Sequence, residues 1–431
     1  MMRSLFSGVS GLKVHQTKMD VIGNNIANVN TVAYKSNSVT FSEVFYQTTQ
    51  SASGPNAETG KGGTNAMQIG LGSNVGAISQ NIETEGASQR TDNPFDLKIS
   101  GQSFFIVENA GATYFTRAGN FTVDESGKLV TASGLAVMGW GTDAEGDILK
   151  SNVKPLYLKN PDDQYTPPEP TTANTITGNI NKEDQAFAKT GGYTSFNLKF
   201  FDSLGYSYLA TVNISQDPDN NMVYNMTASN VLSDGKILEG YSFEISEPSL
   251  TFDNVTGKST LENFTVNFTV PDGATPIEPI TVDVSGLVSQ GDETSIKVGY
   301  GDAEGNGKGK TVGSKTGVSI QQDGTISAYY SNGDVRSIGK IAVASFSNPA
   351  GLEKIGENLY QATLNSGVFN GIGEDISALG GKMSAGVLEM SNVDLSSEFT
   401  DMITTQRGFQ ANSRIITVSD TMLEELVNLK R

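Results

Sequence analysis

The chain has 431 residues, enough for two to four domains, each with a core of its own. Its formal charge of −18, from 47 acidic and 29 basic residues, argues against a nucleic-acid-binding surface, which needs a basic patch. It has no cysteine, which excludes disulfides and thiolate metal sites. Its one histidine leaves the usual Ser-His, Cys-His and His-metal arrangements without parts.

Hydrophobic residues make up 37% and glycines number 48, a mixture that suits many short strands and turns. Residues 1–40 carry Arg3, Lys13, Lys18 and Lys35 against Asp20, and residues 391–431 are close to neutral, so the negative surplus lies in the middle. No apolar run is long enough to cross a bilayer, and no membrane insertion is expected. The opening MMRSLFSGVSGLK is a poor signal peptide because Ser and Gly break its uncharged run. A cytoplasmic chain, or one exported without a cleaved leader, is expected.

From Leu5 to Val29 the apolar residues Leu5, Val9, Leu12, Met19, Ile22 and Ile26 step by three, four or seven and form one stripe of a helix. Gly8, Gly11 and Gly23 weaken it by up to about 1 kcal/mol each relative to alanine. This predicts a helix that does not hold alone. The helix runs into NNIANVNT (Asn24, Asn25, Ala27, Asn28, Asn30, Thr31), amides suited to capping a helix end and tolerating left-handed backbone. His15, within the helix, reads as a packing residue. Phe41 and Phe45, four apart, read as aromatics on one helical face. Residues 47–75 are small, polar and Gly-rich and read as extended or flexible.

Strands are expected at Phe104–Val107, Ala112–Ala118, Gly119–Val123 and Lys128–Thr131, and later at Val318–Gln321, Thr325–Tyr330 and Val335–Ile338. Asp323-Gly324 and Asn332-Gly333 mark hairpin turns. Between these blocks, a stretch opening at Thr166-Pro167-Pro168-Glu169-Pro170, read as a stiff linker, holds the alternating runs Ser195–Phe201, Tyr208–Ile214 and Phe264–Val270. It closes in the glycine-rich loop Gly301–Gly313. The segments near Pro167 and Gly301–Gly313 are candidate hinges.

Gly309-Lys310-Thr311 resembles the end of a phosphate-binding loop, but Glu304 occupies the required glycine position. Asp143 to Asp147 suggests a calcium loop, but Lys154 falls where its last acid belongs, so a turn is the better reading. The Asn-x-Ser/Thr sequons, such as Asn213-Ile214-Ser215, are expected by chance in so Asn- and Thr-rich a chain.

The last segment is the most regular. Leu395, Phe399, Met402, Gln406, Phe409, Ser413, Ile416, Asp420, Leu423, Val427 and Lys430 step by four and three, a coiled-coil-type seam with polar interruptions. Ser396 or Ser397 is expected to cap it, with Asp394, Glu398 and Asp401 favourable at its positive end. A helix of this length must bury its stripe against a partner.

The expected fold is mainly β with α-helical termini: paired N- and C-terminal coiled-coil-type helices, an inner β domain and a second β domain inserted within it. In residue terms, 1–35 is the N-terminal helix of an inner core domain, 36–80 an extended connecting segment, 81–158 with 306–385 a discontinuous inner β domain, 159–305 the inserted outer β domain, and 386–431 the C-terminal helix.

Ser7-Gly8-Val9-Ser10-Gly11-Leu12 followed by Asn24 to Thr31 resembles the N-terminal signature of bacterial flagellar rod and hook proteins. Ser391-Asn392-Val393-Asp394-Leu395 and Gln406-Arg407-Gly408-Phe409-Gln410-Ala411-Asn412 resemble its C-terminal counterpart. Phe201-Asp202-Ser203-Leu204-Gly205 and the stretches 323–333 and 339–344 resemble hook members; rod members are expected to be shorter, without the insertion.

The resemblance implies a structural, non-enzymatic subunit without cofactor or metal. It implies a curved, flexible tubular homopolymer that passes motor torque as a universal joint, with the helices lining a central channel and ordered only on assembly. Implied partners are further copies of itself, a distal rod protein, a hook cap protein, a hook-length control protein, hook–filament junction proteins and the flagellar type III export apparatus, to which Phe41 and Phe45 would present an export motif. The location implied is the hook, outside the cell. Covalent cross-links of the cysteine-dependent kind are closed to this chain. The rival readings are another axial protein of the class, or a secreted β-rich glycan-binding protein or enzyme.

Overall fold

The computed structural model describes residues 2–55, 60–143, 146–187 and 192–429. Lys430 of the C-terminal seam and residues 144–145 of the calcium-like turn lie outside them. The chain divides into two compact units. One comprises Met1–Asn160, Val318–Ser327 and Arg336–Arg431; the other comprises Pro161–Gly317 and Ala328–Val335.

The first unit begins and ends in helices, α1 (Met2–Ala27) and α2 (Leu395–Asn428), which pack on each other. Directly after α1 the chain runs β1 (Asn37–Glu43), β2 (Tyr46–Gln50), β3 (Met67–Gly70) and β4 (Ser73–Gln80). β1 pairs with β4 and β2 with β3, both antiparallel, so 36–80 is a set of paired strands rather than a plain extended connection. Small, polar residues such as Thr48 and Gln68 hydrogen-bond across the ladder, which is why a segment without an apolar pattern can still pair. Phe41 lies on β1 opposite Val75, and Phe45 lies just beyond the strand, so the helical-face reading of this pair is corrected.

The core of this unit is an antiparallel sheet in which Val335–Ile341, Ala136–Trp140, Phe104–Asn109, Ala112–Thr116 and Leu359–Gln361 are successive neighbours. Phe104, Ile106, Phe115, Trp140 and Tyr360 are buried in it. Phe346 meets Phe115 edge-on at 4.8 Å and Phe104 at 5.9 Å, the arrangement the ring quadrupoles favour. The Trp140 indole N–H donates to the Ile372 carbonyl at 2.8 Å, so its polar end is satisfied.

The second unit has two five-stranded sheets that share one apolar core. Strict alternation carries it: along Thr194–Phe201, Phe196, Leu198 and Phe200 point inward, and along Ser207–Gln216 so do Ala210, Val212 and Ile214. One pairing is parallel, Ala173–Asn179 on Ile280–Val288.

Neither candidate hinge is a free linker. Tyr165–Thr166 pairs with Gly313–Ile320, and Glu169–Thr171 pairs with Lys308–Lys310. Lys310 forms ion pairs with Asp334 at 3.0 Å and Glu169 at 3.4 Å, which settles the phosphate-loop resemblance as an ion-paired ribbon. In the two marked turns only the glycines are left-handed, Gly324 at φ +84° and Gly333 at φ +88°. Asp323 and Asn332 instead accept the amides of Thr325 and Asp334 at 3.0 Å each.

Candidate functional site

The place where both chain ends meet the first unit's β structure is built from α1 upward. Its buried face is Gly8, Gly11, Val14, Ile22 and Asn25. The two glycines are the contact itself. A Cβ on Gly11 would lie 2.7 Å from the Asn412 side chain, and one on Gly8 would lie 3.2 Å from Ile416. From the other helix, a Cβ on Gly408 would lie 2.6 Å from the His15 ring. Two of the three glycines that weaken α1 as an isolated helix, Gly8 and Gly11, are the residues that let α2 approach; Gly23 meets nothing. His15 is wedged between Gly408 and the edge of Phe41, 5.8 Å away, and burial followed by the nearby Lys18 pushes its pKa down.

On α2 the residues turned toward α1 follow 398, 402, 405, 408, 412, 416, 419 and 423, with Thr405 and Ser419 fully buried. This line is shifted from the sequence seam. Met402, Ile416 and Leu423 are half-buried, whereas Leu395, Phe399, Phe409 and Val427 are exposed, Phe399 at 50% and Val427 at 68%. On α1, Ile22 is buried, Leu5, Leu12, Met19 and Ile26 are half-buried, and Val9 is exposed. The intrachain contact selects small and polar side chains because they allow close approach, and much of the apolar stripe stays open. The α2 cap is also corrected. Asp394, not Ser396 or Ser397, accepts their amides, at 2.9 and 3.4 Å. We expect Asp394→Ala to cost about 1 kcal/mol in thermal unfolding, and Ser397→Ala to stay within about 0.5 kcal/mol of the parent.

The asparagine cluster divides its work. Asn25, 1% exposed, donates to the Asn37 carbonyl and to Glu398, both at 2.9 Å. It accepts from the Asn37 amide at 3.0 Å and the Tyr34 hydroxyl at 3.3 Å. One side chain thereby joins the end of α1, the start of β1 and the first turn of α2. Asn28 donates to the Asn24 carbonyl at 2.9 Å and accepts from Thr31 at 3.0 Å, closing the helix end. Asn24, Ala27 and Asn30 are exposed. The left-handed residue that turns the chain is Ala33, φ +54°. Burial raises the Glu398 and Tyr34 pKa values. Asn25→Leu keeps the bulk but orphans these partners. A loss of about 1–3 kcal/mol is expected, read as a lower Tm by circular dichroism.

Beneath this lies a buried ionic cluster. Lys35 and Glu389, both with side chains 0% exposed, pair at 2.7 Å. The Lys35 ammonium also donates to the Thr84 carbonyl at 2.7 Å. Glu389 further accepts from the Gly86 amide at 3.0 Å and from Arg117 at 3.4 Å. Arg117 also donates to the Gly101 and Ser103 carbonyls. Burial would raise the Glu389 pKa, but Arg117 and Lys35 outweigh it and hold the carboxyl below its ordinary value. For Lys35, burial prevails and the pKa falls. Asn392 adds a tie, accepting the Ser36 amide at 2.8 Å and donating to the Asn81 carbonyl at 2.8 Å. Sequence reasoning did not single out Lys35, Arg117 or Glu389 as site residues. Glu389 lies 354 positions from Lys35 and 272 from Arg117, so no local spacing could have marked them.

This arrangement joins and positions; it holds no acid–base or nucleophilic constellation. Among the described residues no group of three or more His, Cys, Asp or Glu is placed to bind a metal ion, and no helix is long and apolar enough to cross a membrane.

Three family models match the chain: flagella basal body rod protein over 5–35, flagellar hook protein FlgE/F/G D1 domain over 98–290, and flagellar basal body rod FlgEFG protein C-terminal over 384–429. Lys35, Arg117 and Glu389 fall one in each, so the buried cluster ties the three matched segments together. Relatives match along their whole length. They include the flagellar hook protein FlgE of Borreliella burgdorferi (38% identical, 100% of both chains) and that of Treponema pallidum (35%, 100% of both). The flagellar basal-body rod protein FlgG of Bacillus subtilis is 33% identical, again over 100% of both. With hook proteins aligned end to end at this identity, the chain belongs to the flagellar hook protein family and is a structural subunit of that kind.

Proposed function

We propose that the chain polymerises into a curved, flexible tube that acts as a universal joint between motor and filament. The observation that carries this is the apolar surface left open on the terminal helices. Phe399, Ile403, Ile415, Val418, Met422 and Leu426 on α2, and Phe6 on α1, remain exposed after the two helices have packed. Full burial of such a side chain is worth about 1.5–3 kcal/mol, so covering the roughly half that is still open contributes about 1 kcal/mol each, and neighbouring copies are the cover available to a homopolymer.

In this reading the helices form the inner layer, 81–158 with 306–385 an inner β layer, and 159–305 the outer layer. Ordering of the ends is coupled to addition at the growing tip. The partners are the distal rod protein, the hook cap, the hook-length control protein and the hook–filament junction proteins. Delivery is by the type III export apparatus without a cleaved leader, with Phe41 and Phe45 offered to its gate; Phe45 is 82% exposed.

Sedimentation of the full chain and of a chain lacking 396–431, with electron microscopy of the pellets, tests this. Curved tubes from the full chain and none from the trimmed one are expected. Straight tubes would place it with rod proteins, and no polymer under any salt or concentration would end the proposal.

A further inference from the structure

The second unit carries 22 Asp and Glu residues against nine Lys and no Arg, yet three of those lysines line one cavity. Lys199, Lys308 and Lys310 surround a space of about 370 Å³ together with Phe201, Tyr300 and Asp334. Lys308 and Lys310 share a face because they are two apart on one strand of the Glu169–Thr171 ribbon. Lys310 is neutralised by Asp334 and Glu169. Among the described residues, Lys199 and Lys308 have no carboxylate within ion-pair distance. The Lys199 ammonium lies instead 5.3 Å from the centre of the Phe201 ring. Two uncompensated ammonium groups held beside a third repel one another, and an incoming anion relieves that repulsion.

We propose that this cavity receives a carboxylate-bearing turn from a second copy of the chain. The inference rests on the polymer reading. In a polymer every copy brings the same acidic body close to its neighbours, and bodies so charged repel. A cation pocket that accepts a neighbour's acid turns part of that repulsion into a contact. The unit supplies suitable turns: Asp219, Asp292 and Glu293 are exposed and make no ion pair among the described residues. A contact of this kind is polar and individually weak, so it re-forms easily as subunits slide past one another.

Polymer assembled from an equal mixture of nitrogen-isotope-labelled and unlabelled chains, treated with a zero-length carbodiimide and digested for mass spectrometry, tests it. Mixed-isotope peptides joining Lys199 or Lys308 to Asp219, Asp292 or Glu293 are expected. They should vanish in the Lys199→Ala, Lys308→Ala double variant while its polymer still forms. Links only within one chain, or none from these lysines in intact polymer, overturn the proposal. So does protection of both lysines from acylation by added inorganic phosphate without any interchain link, the mark of a small-anion site. Absence of polymer overturns the polymer reading, and this inference with it.

Discussion

Replacing Glu389 with alanine is expected to cost about 3–5 kcal/mol, because it leaves Lys35 and Arg117 charged and uncompensated in a dry interior. Arg117 retains two backbone acceptors, but Lys35 would keep only the Thr84 carbonyl. Surface pairs offer the contrast. Arg90 and Asp92 lie 2.6 Å apart, but their side chains are 82% and 74% exposed, and Asp92→Ala should change stability by less than about 1 kcal/mol. Urea unfolding of the two variants, with midpoints and slopes compared, decides the point. A Glu389→Ala loss no larger than that of Asp92→Ala would show that the cluster is not buried in solution. The pH dependence has a definite sign. The folded Glu389 pKa lies below its ordinary 4.5, so its contribution is complete above that value and is lost as pH falls through the depressed one. Acid unfolding of the parent should therefore steepen below about pH 4.5, and the Glu389→Ala variant should lack that component.

The second large effect concerns the glycine contact between the helices. Glycine to alanine in a helix interior normally stabilises by about 0.5–1 kcal/mol. At Gly408 the new methyl would fall 2.6 Å from the rigid His15 ring, and overpacking costs about 1–3 kcal/mol, so the balance turns negative. Gly11→Leu should be worse, since the side chain cannot fit where Asn412 already lies. Gly23 is the control: it is helical, exposed and has nothing within 4 Å of its would-be Cβ, so Gly23→Ala should raise Tm. Circular dichroism at 222 nm across a thermal ramp separates them. If Gly408→Ala and Gly23→Ala moved Tm the same way, the close approach of α1 and α2 would be refuted. Polymer yield from the Gly11→Leu chain is the functional counterpart, and it should fall with stability.

The elements themselves were legible because each carries its own period. Phe196, Leu198 and Phe200 alternate, and the C-terminal residues step by three and four, so strand and helix follow from spacing alone. The signatures at the two ends were legible for the same reason, being contiguous. Which side of a helix meets its neighbour was not. The seam through Leu395, Phe399 and Phe409 was chosen by hydrophobicity, whereas the fold turned Thr405, Gly408, Asn412 and Ser419 toward α1. Apolar periodicity marks surface that needs cover, but it does not say which partner covers it. Residues 36–80 show a related limit: their pairing comes from backbone ladders and polar cross-strand contacts, and the alternations they carry, Val39 with Phe41 and Met67 with Ile69, are too short to stand out among Ser, Thr and Gly.

The sequence alone determined a β body between two amphipathic ends, with an acidic middle and without the parts of the usual Ser-His, Cys-His and His-metal sites, because composition and periodicity are local properties of the chain. Only the tertiary structure decided that the weakening glycines Gly8 and Gly11 are a helix–helix contact, that Asn25 is a buried junction rather than a simple cap, and that Lys35, Arg117 and Glu389 form one ionic cluster. Those outcomes depend on distances between residues hundreds of positions apart, and on the cost of burying a charge without its partner.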